Sequence, residues 1–235
     1  MLGAAASGAL ALAALSGAGA ASATCASISG VGNGGGCTSS PTSFAVGIGS
    51  GTTANANGLF SGAIAVGGAG NTVAQSVGNF DLAYANGTNT FAGVQGNFSA
   101  AVAQGKNVFA QAGNASNQFG NFAVNVANDP TPASNFVFAD GGSGNVAFNL
   151  GGTASATKAN FVQAVGNGTL AGTVLGTGNS VSAGNLGNLA TLSSAFAFGG
   201  TNNTVTAGPG PLAIAGAINQ TGKTITQTGP GFNVH

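Results

Sequence analysis

Residues 70–114 repeat themselves at a shift of 18 positions, and this spacing limits what the chain can fold into. The shift superposes one Asn position and one Val or Phe position in three copies, namely Asn71, Asn89 and Asn107, and Val73, Phe91 and Phe109. A fixed period near 20 residues is typical of a solenoid, in which each coil packs on its neighbours. The spacing therefore predicts stacked coils of roughly 18 residues.

The segments between the Gly and Asn positions favour strands over helices. Gly or Asn interrupts the chain every few residues, as in "IAVGG" and "NFAVNVAN", and internal Gly disfavours a helix. Gly and Asn tolerate the left-handed backbone that a tight corner needs. We therefore expect an all-β fold, a parallel β-helix or β-solenoid with three short strands per coil and Gly or Asn at the corners. Coils about 4.8 Å apart would give a rod of order 55 Å.

The larger apolar residues of the repeat are the expected core. Each unit has three apolar positions, separated by small Ala residues that would keep the interior narrow. We expect the following side chains to stack inside the solenoid: Val66, Val73, Phe80, Tyr84, Phe91, Phe98, Val102 and Phe109.

Composition argues against several functional classes. The chain has only three Lys and three Asp, no Arg or Glu, and one His, which is the last residue. Nucleic-acid affinity comes from clustered Lys and Arg, so a nucleic-acid partner is not expected. General acid–base catalysis and metal binding need poised carboxylates or His and Cys ligands, so we expect no enzyme, no metal site and no cofactor.

Two segments match nucleotide-binding patterns only loosely. The segment "AINQTGKT", residues 217–224, resembles a phosphate-binding loop, but "ITQTGPGFNVH" follows and cannot extend the required helix. The segment "GVGNGG", residues 30–35, has no acidic residue about 20 positions later. The Gly-rich stretch 141–145 lacks the repeated Asp of calcium-binding nonapeptides. We expect no nucleotide and no calcium at these places.

The first 23 residues have the pattern of an export signal. They are rich in Ala and Leu, carry no charge, and end in the small-x-small sequence that signal peptidase prefers. Cleavage is expected after Ala20 or Ala23, which would leave no stable membrane span. In the oxidising compartment that follows, Cys25 and Cys37 are expected to form a disulfide.

These features predict four regions. They are a signal peptide at 1–23, a disulfide-closed segment at 24–43, a β-solenoid repeat domain at 44–228 and a flexible tail at 229–235.

An Ala-rich signal, two early cysteines around "GVGNGGG", and Gly/Asn/Ala/Phe repeats together resemble a group of uncharacterised secreted repeat proteins of mycobacteria and related actinobacteria. The resemblance implies a secreted or cell-envelope location and brings no catalytic residues.

The leading hypothesis for function is a non-enzymatic exported structural protein of the surface or envelope, with self-association or envelope components as partners. An alternative is a curlin-like amyloid matrix protein or adhesin, since "QGKNVFAQAGN", residues 104–114, is similar to a curlin repeat. A second alternative is a solenoid face that binds glycan or ice.

Overall fold

The computed structural model describes residues 24–67, 70–130, 135–184 and 190–235. The expected signal peptide lies outside these residues. The described part of the chain contains twenty-one β-strands and no helix. The strands are β1 (Thr24–Ile28), β2 (Val31–Gly32), β3 (Cys37–Ser39), β4 (Phe44–Ile48), β5 (Thr52–Asn57), β6 (Gly62–Gly67), β7 (Thr72–Asn79), β8 (Leu82–Asn97), β9 (Ala100–Ala112), β10 (Phe122–Asn128), β11 (Asn135–Asp140), β12 (Val146–Leu150), β13 (Asn160–Asn167), β14 (Leu170–Val174), β15 (Ser180–Ala183), β16 (Ala190–Thr191), β17 (Ser194–Phe198), β18 (Thr204–Ala207), β19 (Ala213–Ile218), β20 (Thr224–Gln227) and β21 (Gly231–Val234).

Each coil contributes one strand segment to each of two parallel sheets. Sheet one runs through β4, β6, the first half of β8, the first half of β9, β10, β12, β14, β17, β19 and β21. Sheet two runs through β3, β5, β7, the second halves of β8 and β9, β11, β13, β15, β18 and β20. The coils form a β-solenoid of about 9 turns, about 20 residues apart. The predicted fold class is confirmed, but most coils have two strand segments and not three; the short strand β16 adds a third segment, which pairs with the end of β13.

The interior between the two sheets is built from alanine. One inward position of sheet one is Ala in nine successive coils: Ala45, Ala63, Ala83, Ala101, Ala123, Ala147, Ala171, Ala195 and Ala215, each at most 1% exposed. The facing position of sheet two is Ala in four coils and then changes to Val or Ile: Ala54, Ala74, Ala92, Ala110, Val137, Val162, Val181, Val205 and Ile225. Two sheets joined by short corners lie close together, so mainly small side chains fit between them.

The eight residues that were predicted to form the core therefore lie on the outside of the solenoid. Successive side chains of a strand alternate between its two sides, so an inward Ala places the next residue outside. The prediction of an interior position was wrong for all eight residues. Six are half-buried on the outer sides of the sheets: Val66, Val73, Tyr84, Phe91, Val102 and Phe109. The other two, Phe80 and Phe98, lie at a corner and are 50% exposed.

The stacking register of these residues is largely confirmed. Val73 pairs with Phe91 and Phe91 with Phe109, and the two rings are 4.6 Å apart. Tyr84 pairs with Val102, as expected. Val66 was misaligned, because it pairs with Asn86 and not with Tyr84. The reason is a local step of 20 residues between β6 and β8.

The two corners differ in which residues adopt the left-handed backbone. At the corner that leads from sheet one to sheet two, Asn89 and Asn107 have φ of 53° and 55°. The Asn89 amide donates to Asn107 Oδ1 at 3.1 Å, which links neighbouring coils. At the opposite corner the left-handed residues include Phe80 and Phe98, with φ of 57° and 53°. We call these the Asn corner and the Phe corner. Asn at a corner was expected, whereas Phe was not.

A hairpin covers the first coil. Strand β1 pairs antiparallel with β4 and with β2, so it covers the outer edge of sheet one. The expected disulfide between Cys25 and Cys37 is present and joins β1 to β3. The segment therefore covers the edge of sheet one at the first coil with an antiparallel strand.

The tail was predicted wrongly as flexible. Residues Gly231–Val234 form β21 and pair in register with β19. Its alternation of Gly, Phe, Asn and Val continues sheet one by a further rung, which makes the expected boundary at 228 wrong.

Candidate functional site

The outer side of sheet one is mainly apolar along its length, with Asn86, Gln104 and Ser194 as polar exceptions. We call it the apolar face, and it consists of three columns of outward side chains. The first column is Phe44, Gly62, Leu82, Ala100, Phe122, Val146, Leu170, Ser194, Ile214 and Phe232; the second is Val46, Ile64, Tyr84, Val102, Val124, Phe148, Gly172, Phe196, Gly216 and Val234; the third is Ile48, Val66, Asn86, Gln104, Val126, Leu150, Val174, Phe198 and Ile218. None of these described positions carries a charge.

Glycine makes parts of the apolar face flat. A Cβ placed on Gly172 would lie 2.2 Å from the ring of Phe148, and one on Gly216 would lie 2.2 Å from the ring of Phe196. The rings therefore lie over the glycines of the next coil and do not stand away from the sheet. Large side chains elsewhere on the face stay exposed; Phe122, for example, is 46% exposed. The result is a level, mainly apolar surface over these coils.

A ladder of phenylalanines extends the apolar face around the Phe corner. Phe60, Phe80, Phe98 and Phe119 stack in sequence with centroid distances of 5.3, 4.7 and 5.0 Å. Their exposed fractions run from 50% to 61%. A left-handed backbone costs a bulky residue roughly 1–2 kcal/mol. Ring stacking offsets part of this cost, since such pairs contribute about 0.5–1.5 kcal/mol.

The outer side of sheet two is mixed, and we call it the mixed face. Its two columns are Val73, Phe91, Phe109, Phe136, Phe161, Ser180, Thr204 and Thr224, and Asn55, Gln75, Gly93, Gln111, Phe138, Gln163, Ser182, Thr206 and Thr226. In the middle coils the ring of Phe109 lies 5.3 Å from that of Phe138 and 6.0 Å from that of Phe136. A shallow groove of about 290 Å³ lies beside these rings, between Asn89 and Asn135.

The last three coils of the mixed face carry a regular set of hydroxyl groups, which we call the hydroxyl array. It comprises Ser180, Ser182, Thr204, Thr206, Thr224 and Thr226. Residues two apart on a strand are separated by about 6.7 Å and neighbouring coils by about 4.8 Å. At the adjoining Asn corner Thr153, Thr177, Thr201 and Thr221 form a further column. The Lys158 ammonium group donates to Thr204 Oγ1 at 2.8 Å.

All three Asp side chains of the chain are buried, at Asp81, Asp129 and Asp140. Burial raises the pKa of Asp81 to about 6, although the Ser99 N–H donates to Asp81 Oδ1 at 2.9 Å and opposes the rise. Burial likewise raises the pKa of Asp140 to about 6, and a hydrogen bond from Gln163 opposes it. Asp81 is 2% exposed and Asp140 is 5% exposed. They lie in separate coils, so they do not form a carboxylate pair.

The motif-like segments have structural roles. Residues 217–224 run from β19 around the Asn corner into β20, without the helix that a phosphate loop needs. Residues 30–35 belong to the hairpin of β1 and β2. Within 141–145, Asn145 is buried and donates to the carbonyl oxygens of Asp140 at 3.0 Å and Gly166 at 2.7 Å. Its amide links coils, and this could not be read from the motif.

The described residues contain neither a cluster of metal ligands nor a membrane-spanning helix. No group of three or more His, Cys, Asp or Glu residues there could hold a metal ion. Over the same ranges, no helix is both long and apolar enough to cross a membrane.

The protein is thus a two-sheeted parallel β-solenoid with outer faces of unlike chemistry. In comparisons with known proteins, no family model matches the chain, and no curated protein or solved structure is significantly similar to it.

Proposed function

We propose that this protein is a non-enzymatic, exported structural element of the cell surface or cell envelope. The observation that carries the proposal is the apolar face, which runs without a charged residue along all the coils of sheet one. Single exposed apolar residues are ordinary, but large continuous patches mark interaction sites. A protein built this way works through an extended surface and not through a small concave site.

Two further observations support export and a structural role. A disulfide joins Cys25 and Cys37, and disulfides persist in oxidising compartments. Asn side chains link successive coils at both corners, as in the 2.8 Å bond from Asn79 Nδ2 to Asn97 Oδ1. Amide ladders of this kind add to the backbone ladder and hold a rod rigid along its axis.

Cell fractionation tests the proposal. An epitope-tagged chain produced in the cells that encode it should be recovered from the envelope or the medium, beginning just after Ala20 or Ala23. A matched chain without residues 2–23 should stay in the cytosol. Deletion of the gene should also change the partition of whole cells between water and hydrocarbon. Retention of the tagged chain in the cytosol with residues 1–23 attached would contradict the proposal.

A second candidate function is attachment to a glycan surface, and the hydroxyl array favours it. Hydroxyl groups can donate and accept, as sugar hydroxyls do. The array repeats along two directions and adjoins the rings of Phe138 and Phe161, whose faces can lie against a sugar ring.

Binding to insoluble polysaccharides tests this second candidate. Replacing Thr206 and Thr226 by Val removes two hydroxyls at nearly constant volume and should reduce the bound fraction several-fold. The same change at Thr53, on the outer side of β5, serves as the control and should leave binding unchanged. Equal binding by both variants would remove this candidate.

A further inference from the structure

We propose that the apolar face is the interface at which a second copy of this chain docks, giving a face-to-face dimer with twofold symmetry. The proposal concerns the association of the purified chain, so it goes beyond the proposed function and does not depend on export.

The size of the apolar face fits a stable dimer. Three columns about 6.7 Å apart and nine coils about 4.8 Å apart give an area of roughly 800 Å². The largest apolar patch of an ordinary monomer is about 300–600 Å², whereas a standard interface buries about 800 Å² on each partner. The exposed side chains are also large, with Leu82 at 43% and Phe122 at 46% exposure.

The shape and chemistry of the face suit another copy of itself. Rings laid over Gly172 and Gly216 leave a level surface, and level sheets pack face to face about 10 Å apart. Its backbone groups already bond within sheet one, so docking would leave no backbone donor unpaired. No charge has to be desolvated, because the face has none. A twofold axis places the same patch on both partners, which suits a self-complementary apolar surface.

A lipid surface is the less favoured occupant. Proteins that lie on membranes use Trp and Tyr at the interface and Lys or Arg towards the headgroups. This chain has no Trp, and its one Tyr, Tyr84, lies in the middle column of the face. Lys106 lies at the edge of the face, two residues after Gln104 in β9, whereas Lys158 and Lys223 lie away from it. One Tyr and one Lys give an apolar sheet of this length few anchors to lipid headgroups, whereas packing against protein needs none.

A matched pair of double variants tests the interface. Val102 and Phe148 lie two coils apart in the middle column of the apolar face. Gln75 and Gln111 lie two coils apart on the mixed face. We expect sedimentation equilibrium of the purified full-length chain to give a dimer. Val102→Lys with Phe148→Lys should weaken dimerisation by 100-fold or more, whereas Gln75→Lys with Gln111→Lys should change it by less than threefold.

Circular dichroism of each variant separates loss of the dimer from loss of the fold. If the apolar-face double variant does not fold, Val124→Cys provides an independent readout. Val124 lies near the centre of the middle column. In a dimer with a twofold axis it would therefore lie close to Val124 of the second copy. Mild oxidation should then give a covalent dimer, and Gln111→Cys should not.

Three results would overturn the proposal. They are a monomeric wild-type chain at tens of micromolar, equal dimerisation of the two lysine variants, and equal cross-linking of the two cysteine variants. A monomer that binds neutral phosphatidylcholine vesicles would assign the face to lipid instead.

Discussion

The two outer faces differ although the two sheets share one interior. Sheet one presents Val, Ile, Leu and Phe with rings laid over glycine, whereas sheet two presents Gln, Ser and Thr around a central group of rings. Both faces lie outside one narrow interior, which is lined by small residues such as Ala101 in sheet one and Ala110 in sheet two. The interior therefore fixes the fold, and the outer residues are left to vary with function. This separation explains why a repeat with little sequence complexity can carry two chemically distinct surfaces.

The largest expected effect tests whether the interior is common to both faces. Replacing Ala101 by Leu behind the apolar face, or Ala110 by Leu behind the mixed face, should each lower the free energy of unfolding by about 3 kcal/mol, because both side chains have no accessible surface. Denaturant unfolding of the two variants checks this. The control Val102→Leu, on the outer side of the same strand, should cost less than about 0.5 kcal/mol. If the losses in unfolding free energy of these two variants differed widely, the interior would not support the two faces equally.

A smaller effect is expected within the mixed face itself. Phe109 contacts the rings of Phe91, Phe136 and Phe138, so Phe109→Ala should cost about 2 kcal/mol. Thr206→Ala, three coils past the last of these rings, should cost at most about 0.5 kcal/mol. Thermal unfolding followed by circular dichroism measures both. A larger loss for Thr206 than for Phe109 would mean that hydroxyls, and not rings, stabilise this face.

The smallest effect expected from a single residue is a dependence on pH, and one such residue lies at each face. The pKa of Asp81, beside the apolar face, and that of Asp140, in sheet two, are raised by burial to about 6 from an ordinary value of 3.8. A raised pKa means that the folded state holds the proton more tightly. Each group therefore adds stability that is complete below pH 3.8 and is lost as the pH rises through about 6.

Denaturant unfolding at pH 4 and pH 7.5 checks this dependence. A rise in pKa from 3.8 to about 6 is worth about 3 kcal/mol at most, and solvent screening lowers this value, so the wild type should lose about 1 to 2 kcal/mol for each carboxyl group. Asp81→Asn and Asp140→Asn should each remove about half of the loss. An unchanged loss in both variants would assign the pH dependence to other groups.

Much of the fold could be predicted from the sequence because repetition aligns residues that lie far apart in the chain. The shift of 18 gave the β-solenoid and the stack of Val73, Phe91 and Phe109, which the structure confirms. The 18-residue period also placed some residues in the wrong register. Residue Val66 was misaligned because one coil is longer, and longer coils come from corner insertions that carry no periodic signal.

The apolar face could not be recognised from the repeat alone. Each strand alternates Ala with a larger apolar residue, so either parity could face inward. Large residues usually form the core, and the prediction followed that rule. The unbroken row of Ala was visible in the sequence at positions such as Ala83 and Ala101. Whether this row lies inside the solenoid depends on the distance between the two sheets. Coils with two strands set this distance, and coils with three strands would have made it larger.

The inward row of alanines also has a consequence for how such a protein varies. In sheet one each of nine successive coils presents Ala to the coil above and below, so a whole coil could be inserted or removed without a misfit on that side of the joint. The cross-section would stay constant while the rod changed by about 4.8 Å for each coil. The length of the rod would then change in equal steps, one coil at a time.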